Sequence, residues 1–133
     1  MKTPIVINHT RQNLCLSDLA LAMEKRLESE PKFAKCRSWD HSKWLQALVG
    51  EVGETADQLK KLDRGDYDDD HHKFVENVAK EMADSLMYLI LLAQALEIDL
   101  GKATILKFNE VSVRLGNALT IGHDGQLYYL PED

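Results

Sequence analysis

Two carboxylate pairs of one spacing stand thirty residues apart, Glu51-Val52-Gly53-Glu54 and Glu81-Met82-Ala83-Asp84. Each lies in a helical pattern, so the two acids of a pair fall one turn apart on one helix face. Four acids gathered on facing helices repel one another unless something positive lies between them. No histidine follows either glutamate at the Glu-x-x-His spacing of a ferritin-like di-iron bundle. The donors are therefore all oxygen, which favours a hard cation, Mg²⁺ or Mn²⁺, over iron or zinc.

The flanking residues bear on the same chemistry. Trp44, Glu51, Glu54 and Gln58 share one face of their helix, and Glu81, Asp84 and Tyr88 line up on theirs. Asp84 stands just before an apolar run, where an unpaired carboxylate is expensive. Gly50 and Gly53 interrupt the first acidic helix, each at a cost of about 1 kcal/mol relative to alanine. They predict either close helix approach or room for a bound group. The stretch Asp63-Arg64-Gly65-Asp66-Tyr67-Asp68-Asp69-Asp70 lacks the alternate-residue spacing of an EF-hand. It reads as a solvated turn, with help to a metal or gating of the site as the alternative. His71 and His72 are adjacent, point apart, and read as a helix start.

The elements that must position these groups can be placed from punctuation. Prolines occur only at 4, 31 and 131, so nothing between Lys32 and Leu130 forbids long helices. A first helix is expected from an N-cap at Ser17 to about Glu30, with Leu19, Met23 and Leu27 as its stripe and Pro31 as its end. A second begins near Ser38 or Asp40 and reaches about Leu62, and a third runs from about His71 to Glu97. Its second half, Ser85 to Leu96, is apolar nearly all round, which predicts cover on more than one side and hence a partner subunit. Asp99 caps a fourth helix that ends near Leu115, with Gly116 as its stop. The segment Gly122-His123-Asp124-Gly125 followed by Gln126 to Leu130 suggests a small hairpin.

Length and charge bound the function. The 133 residues predict one domain, residues 1–133, able to bury a real core. A net charge of −6 argues against nucleic acid and anionic lipid as partners. It leaves a phosphate-bearing small substrate open, because bound metal reverses the local sign. Cys15 and Cys36 are too few for a disulfide framework or a metal finger. The N-terminal stretch from Met1 to Ile7 has no signal-peptide pattern, and the longest apolar run, Leu86 to Ala93, is too short to span a bilayer. A cytoplasmic protein is expected. Positive charge for a polyphosphate is offered by Lys60 and Lys61, and by Lys107 and Arg114, which are seven apart on one helix face. Read alone, the latter helix is an ordinary amphipathic one with snorkelling cations.

The segment Leu48-Val49-Gly50-Glu51-Val52-Gly53-Glu54, followed by Glu81-Met82-Ala83-Asp84, resembles the E-x-x-E … E-x-x-D signature of MazG-like all-α NTP pyrophosphohydrolases. The likeness continues through Ser85-Leu86-Met87-Tyr88-Leu89, Asp99-Leu100 and Lys107-Phe108-Asn109, and so covers about residues 38–116. It implies an all-α, four-helix MazG-like bundle, here with an N-terminal extra helix and a short C-terminal tail or hairpin. It also implies a homodimer or homotetramer, dependence on Mg²⁺ (or Mn²⁺), and cleavage of a nucleoside triphosphate to monophosphate and pyrophosphate. Many members carry two consecutive glutamates where this chain has Gly50-Glu51, which leaves the number of metal ions open.

Carried onto this chain, the resemblance makes Glu51, Glu54, Glu81 and Asp84 the catalytic, metal-holding acids. Lys107 and Arg114, with Lys60 or Lys61, would grip the phosphates, and Asn109 would bond phosphate or sugar. Trp39 or Trp44 would stack on the base, and Tyr88 would pack against the sugar; core packing is the alternative for each. The string Lys107-Phe108-Asn109-Glu110-Val111-Ser112-Val113-Arg114 is similar to a phage-associated branch, the dGTP-cleaving MazZ type, and favours dGTP or another deoxypurine. The rivals are a pyrimidine enzyme acting on dCTP or dUTP and a non-catalytic helical interaction module.

Overall fold

The computed structural model describes residues 5, 6 and 14–129. Expectations that fall on the remaining terminal residues, Leu130 among them, lie outside the described residues. The described chain is built of four α-helices, α1 (Leu16–Ser29), α2 (His41–Asp63), α3 (His71–Ala95) and α4 (Leu100–Leu115), with one 3-10 helix (Pro31–Ser38) and three short strands. This is the all-α architecture expected.

Side-chain capping sets most boundaries. Asp40, Asp70 and Asp99 each accept a hydrogen bond from the backbone N–H three residues on, at Lys43, Lys73 and Lys102. Gly116, with φ of 64°, closes α4 in the left-handed conformation that glycine adopts without strain. Two boundaries differ from expectation. Helix α1 starts at Leu16, so Ser17 lies inside its first turn rather than capping it. Helix α3 stops at Ala95, and Glu97 takes a φ of 56°.

The chain forms two compact units, one of residues 18–97 and one of residues 98–133 with the first seventeen. In the first, α2 and α3 run antiparallel, since Trp44 meets Tyr88 at one end and Gln58 is linked to Asn77 at the other. That link is Tyr67, whose hydroxyl donates to Gln58 Oε1 at 2.5 Å and accepts from Asn77 Nδ2 at 3.0 Å. The acidic turn is therefore pinned to both helices. Asp70 serves as a cap and Asp66 pairs with Arg64.

Helix α1 joins this unit through Gln94, whose amide donates to Ala20 O at 2.8 Å. The 3-10 helix is fastened to the end of α1 by Arg37, which donates to the carbonyls of Leu27 (2.7 Å) and Glu30 (3.1 Å). Met23, Trp44, Phe74, Ile90, Leu91 and Ala93 are the buried apolar side chains of the unit.

In the second unit the expected hairpin is present as β2 (Leu119–Ile121) and β3 (Leu127–Tyr129), joined by β1 (Ile5–Val6) in the antiparallel order β1-β3-β2. Gly122 lies beneath the Tyr128 ring, where a Cβ would come within 2.6 Å of it. The close helix approach expected at Gly50 and Gly53 is not found: both are exposed, and an added Cβ meets nothing within 4 Å.

Candidate active site

The middle turns of α2 and α3 face each other with their acids. One carboxylate oxygen from each of Glu51, Glu81 and Asp84 lies within 4.8 Å of the other two, and all three side chains are half-buried. Glu54, the fourth expected acid, is exposed one turn further along α2 and outside this close group. Its charge still reaches Glu51.

The acids disturb one another as the spacing predicts. The Glu51 carboxyl is held above its ordinary value by burial first, then by the charges of Asp84, Glu54 and Glu81 and by a hydrogen bond with Glu81. The Tyr88 phenol is raised for the same reasons, burial first and then Glu51 and Asp84. Tyr88 therefore stays protonated near neutral pH and remains a hydrogen-bond donor beside the cluster. Three hard oxygen donors at this separation, with a raised carboxyl among them, suit a divalent cation such as Mg²⁺ or Mn²⁺.

A cavity of about 140 Å³ opens against Asp84. Asp84 and Tyr88 of α3 form one side, and Trp44 of α2 lies 6.1 Å from the Tyr88 ring. Trp39 stands against Trp44 with ring centroids 4.8 Å apart, tilted by 58°. Helix α1 adds Met23 and Arg26 to the lining, and the 3-10 helix adds Phe33 and Cys36. Nothing singled out Arg26, Phe33 or Cys36 in the sequence. Phe33, Cys36 and Trp39 recur every third residue, the period of a 3-10 helix, and that was the available signal.

The structure brings Trp39, Trp44 and Tyr88 together with Asp84, although Trp44 is only 5% exposed and also serves the core. Lys60 and Lys61 occupy the last turn of α2, where Lys61 pairs with Asp57 at 2.8 Å. Lys107, Asn109 and Arg114 are on α4, in the other compact unit. Lys107 pairs with Glu110 at 2.7 Å. The Asn109 amide both donates to and accepts from the Ile121 backbone, at 2.8 Å each, and so locks β2 onto α4.

The family model of the MazG nucleotide pyrophosphohydrolase domain matches residues 40–112, which contain all four acids. The chain belongs to this family. Its members are nucleoside triphosphate pyrophosphohydrolases, typically dependent on a divalent metal, and the chain is an enzyme of that class. No curated protein matches it in sequence. Among the described residues, no helix is long and apolar enough to cross a membrane.

Proposed function

We propose that the enzyme cleaves a deoxynucleoside triphosphate, with dGTP or another deoxypurine favoured, to the monophosphate and pyrophosphate. The observation that carries this is the Glu51, Glu81 and Asp84 cluster, three oxygens within 4.8 Å at the edge of an aromatic cavity. Glu54 completes the ligand set for Mg²⁺ or Mn²⁺. A cation held by these acids would supply positive charge for the phosphates and would lower the pKa of a water molecule.

The chain's own residues do the rest. One of the glutamates accepts the proton of the attacking water. The water oxygen forms a new bond to phosphorus as the bond between the α- and β-phosphates breaks, and pyrophosphate leaves. Tyr88 donates a hydrogen bond to the sugar or the first phosphate, and Trp39 and Trp44 wall the base. Lys60 and Lys61, in the same compact unit as the acids, are the cations proposed to neutralise the outer phosphates. The base preference rests on the likeness of residues 107–114 to the phage MazZ branch.

Assembly is the second part of the proposal. Leu45, Val49, Val52, Ala56 and Leu59 on α2 are all exposed, as are Val75, Ala79, Met82, Leu86 and Leu89 on α3. Each series advances by four and three residues in turn, the spacing of a helix seam that packs on another helix. A second copy of the chain is the proposed cover, giving a homodimer or homotetramer, in the cytoplasm.

The test is calorimetric titration of Mg²⁺ and Mn²⁺ into the protein and into Glu51→Gln, together with turnover of each nucleoside triphosphate. Saturable binding and turnover that the substitution abolishes support the proposal, whereas unaltered metal binding by the variant contradicts it. Preferential turnover of dCTP or dUTP would transfer the activity to pyrimidines.

A further inference from the structure

We propose that Arg26 selects the base, its guanidinium donating to the paired acceptors O6 and N7 of guanine. This rests on the reading of the acid cluster as the site of triphosphate cleavage. A nucleotide carries its charge on the phosphates, which belong with the acids and their cation, and its flat apolar part is the base. The cavity that begins at Asp84 is walled by Trp39, Trp44, Tyr88 and Phe33, the surfaces on which a base lies well. Arg26 lines that cavity from α1, a helix that carries none of the four acids.

Arg26 is also uncommitted. Among the described residues its guanidinium has no hydrogen-bond or ion-pair partner, in contrast to Arg37, which fastens the 3-10 helix, and Arg64, which pairs with Asp66. No ion pair joins it to Asp84, although both border the same cavity. A guanidinium offers parallel donors in a fixed fork and has no acceptor. Guanine presents two neighbouring acceptors, O6 and N7, that match this fork. Adenine places an amino donor beside N7 and meets it unfavourably. Arg26 and the 3-10 helix lie outside residues 40–112, so this selectivity belongs to the chain's own N-terminal segment and not to the shared domain.

The chain's only tryptophans, Trp39 and Trp44, both line the cavity, so their fluorescence reports binding without turnover. The wild-type protein, Arg26→Ala and Arg26→Lys would be titrated with dGMP, dAMP, dCMP and 7-deaza-dGMP. Wild type should bind dGMP most tightly and lose affinity for 7-deaza-dGMP, which lacks the N7 acceptor. In Arg26→Ala the preference for dGMP over dAMP should fall by about 5- to 150-fold, and the 7-deaza penalty should vanish. Arg26→Lys, with a point charge in place of the fork, should restore little of the preference.

Equal weakening of all monophosphates by Arg26→Ala would make the residue a phosphate ligand and overturn the proposal. So would a wild-type preference for dAMP or dCMP, or no change in the variant. The 7-deaza comparison in wild type stands even if a variant does not fold. If wild type hydrolyses triphosphates but these selective losses are absent, the inference about Arg26 alone fails. If wild type neither hydrolyses nor binds any nucleotide, the reading of the site fails with it.

Discussion

Glu51 concentrates the tension of the site. Its carboxyl is raised by burial and by three neighbouring acids, so the folded protein holds this proton more tightly than the unfolded chain does. The unfolded carboxyl ionises first, near the ordinary value of 4.5, and the folded one at higher pH. Stability of the metal-free protein should accordingly fall as pH rises through that window and level off above the raised value. Thermal melts across pH check this, and Glu51→Gln should flatten the fall and melt higher than wild type near pH 7. The same substitution should lower metal-dependent turnover by more than the roughly 10–100-fold typical of losing an outer partner of a metal ligand. A variant that is neither stabilised nor inactive would show the acids to be ordinary surface charge. The clustering of Glu51, Glu81 and Asp84 was legible in the sequence, because two three-residue spacings on antiparallel helices leave few other arrangements. Arg26 was not, because an exposed arginine gains meaning only once α1 and the 3-10 helix are folded against α3.

At the scale of elements, capping chemistry made the frame readable. Asp40, Asp70 and Asp99 stand where α2, α3 and α4 begin, and Gly116 stands where α4 stops. The end of α3 was misread because Glu97 takes a left-handed conformation that its residue type does not advertise. Glu97→Gly should relieve about 1 kcal/mol of this strain and raise the midpoint of denaturant unfolding. The acidic turn makes a different prediction. Tyr67→Phe removes the hydroxyl shared by Gln58 and Asn77 and should destabilise the protein by about 1–2 kcal/mol, read in the same experiment. An unchanged midpoint would mean that the turn is held by its helix caps alone. The 3-10 helix escaped the sequence reading because three residues per turn over one short segment mimic neither helix nor strand.

At the scale of the molecule, α2 and α3 each carry an exposed apolar seam, the surface proposed to meet a second copy of the chain. Val52 and Met82 are 53% and 59% exposed, in the middle turns that carry the acids. Val52→Glu should shift the sedimentation mass from an oligomer to the 15.1 kDa chain, and a mass unchanged by the substitution would place the subunit contact elsewhere. The apolar half of α3 was legible as a face that needs cover, and Ile90, Leu91 and Ala93 find it within the chain, not on the partner subunit the pattern had suggested. The division into two compact units was not, because α4 and the hairpin are joined through Asn109 and the Ile121 backbone, a contact with no local signature.

Phosphorus NMR of dGTP incubated with the enzyme and Mg²⁺ tests the account most directly. The three resonances of the triphosphate should be replaced by those of dGMP and pyrophosphate, and the reaction should stop when the metal is chelated. The appearance of dGDP and inorganic phosphate instead would contradict the assignment of the acid cluster to cleavage between the α- and β-phosphates.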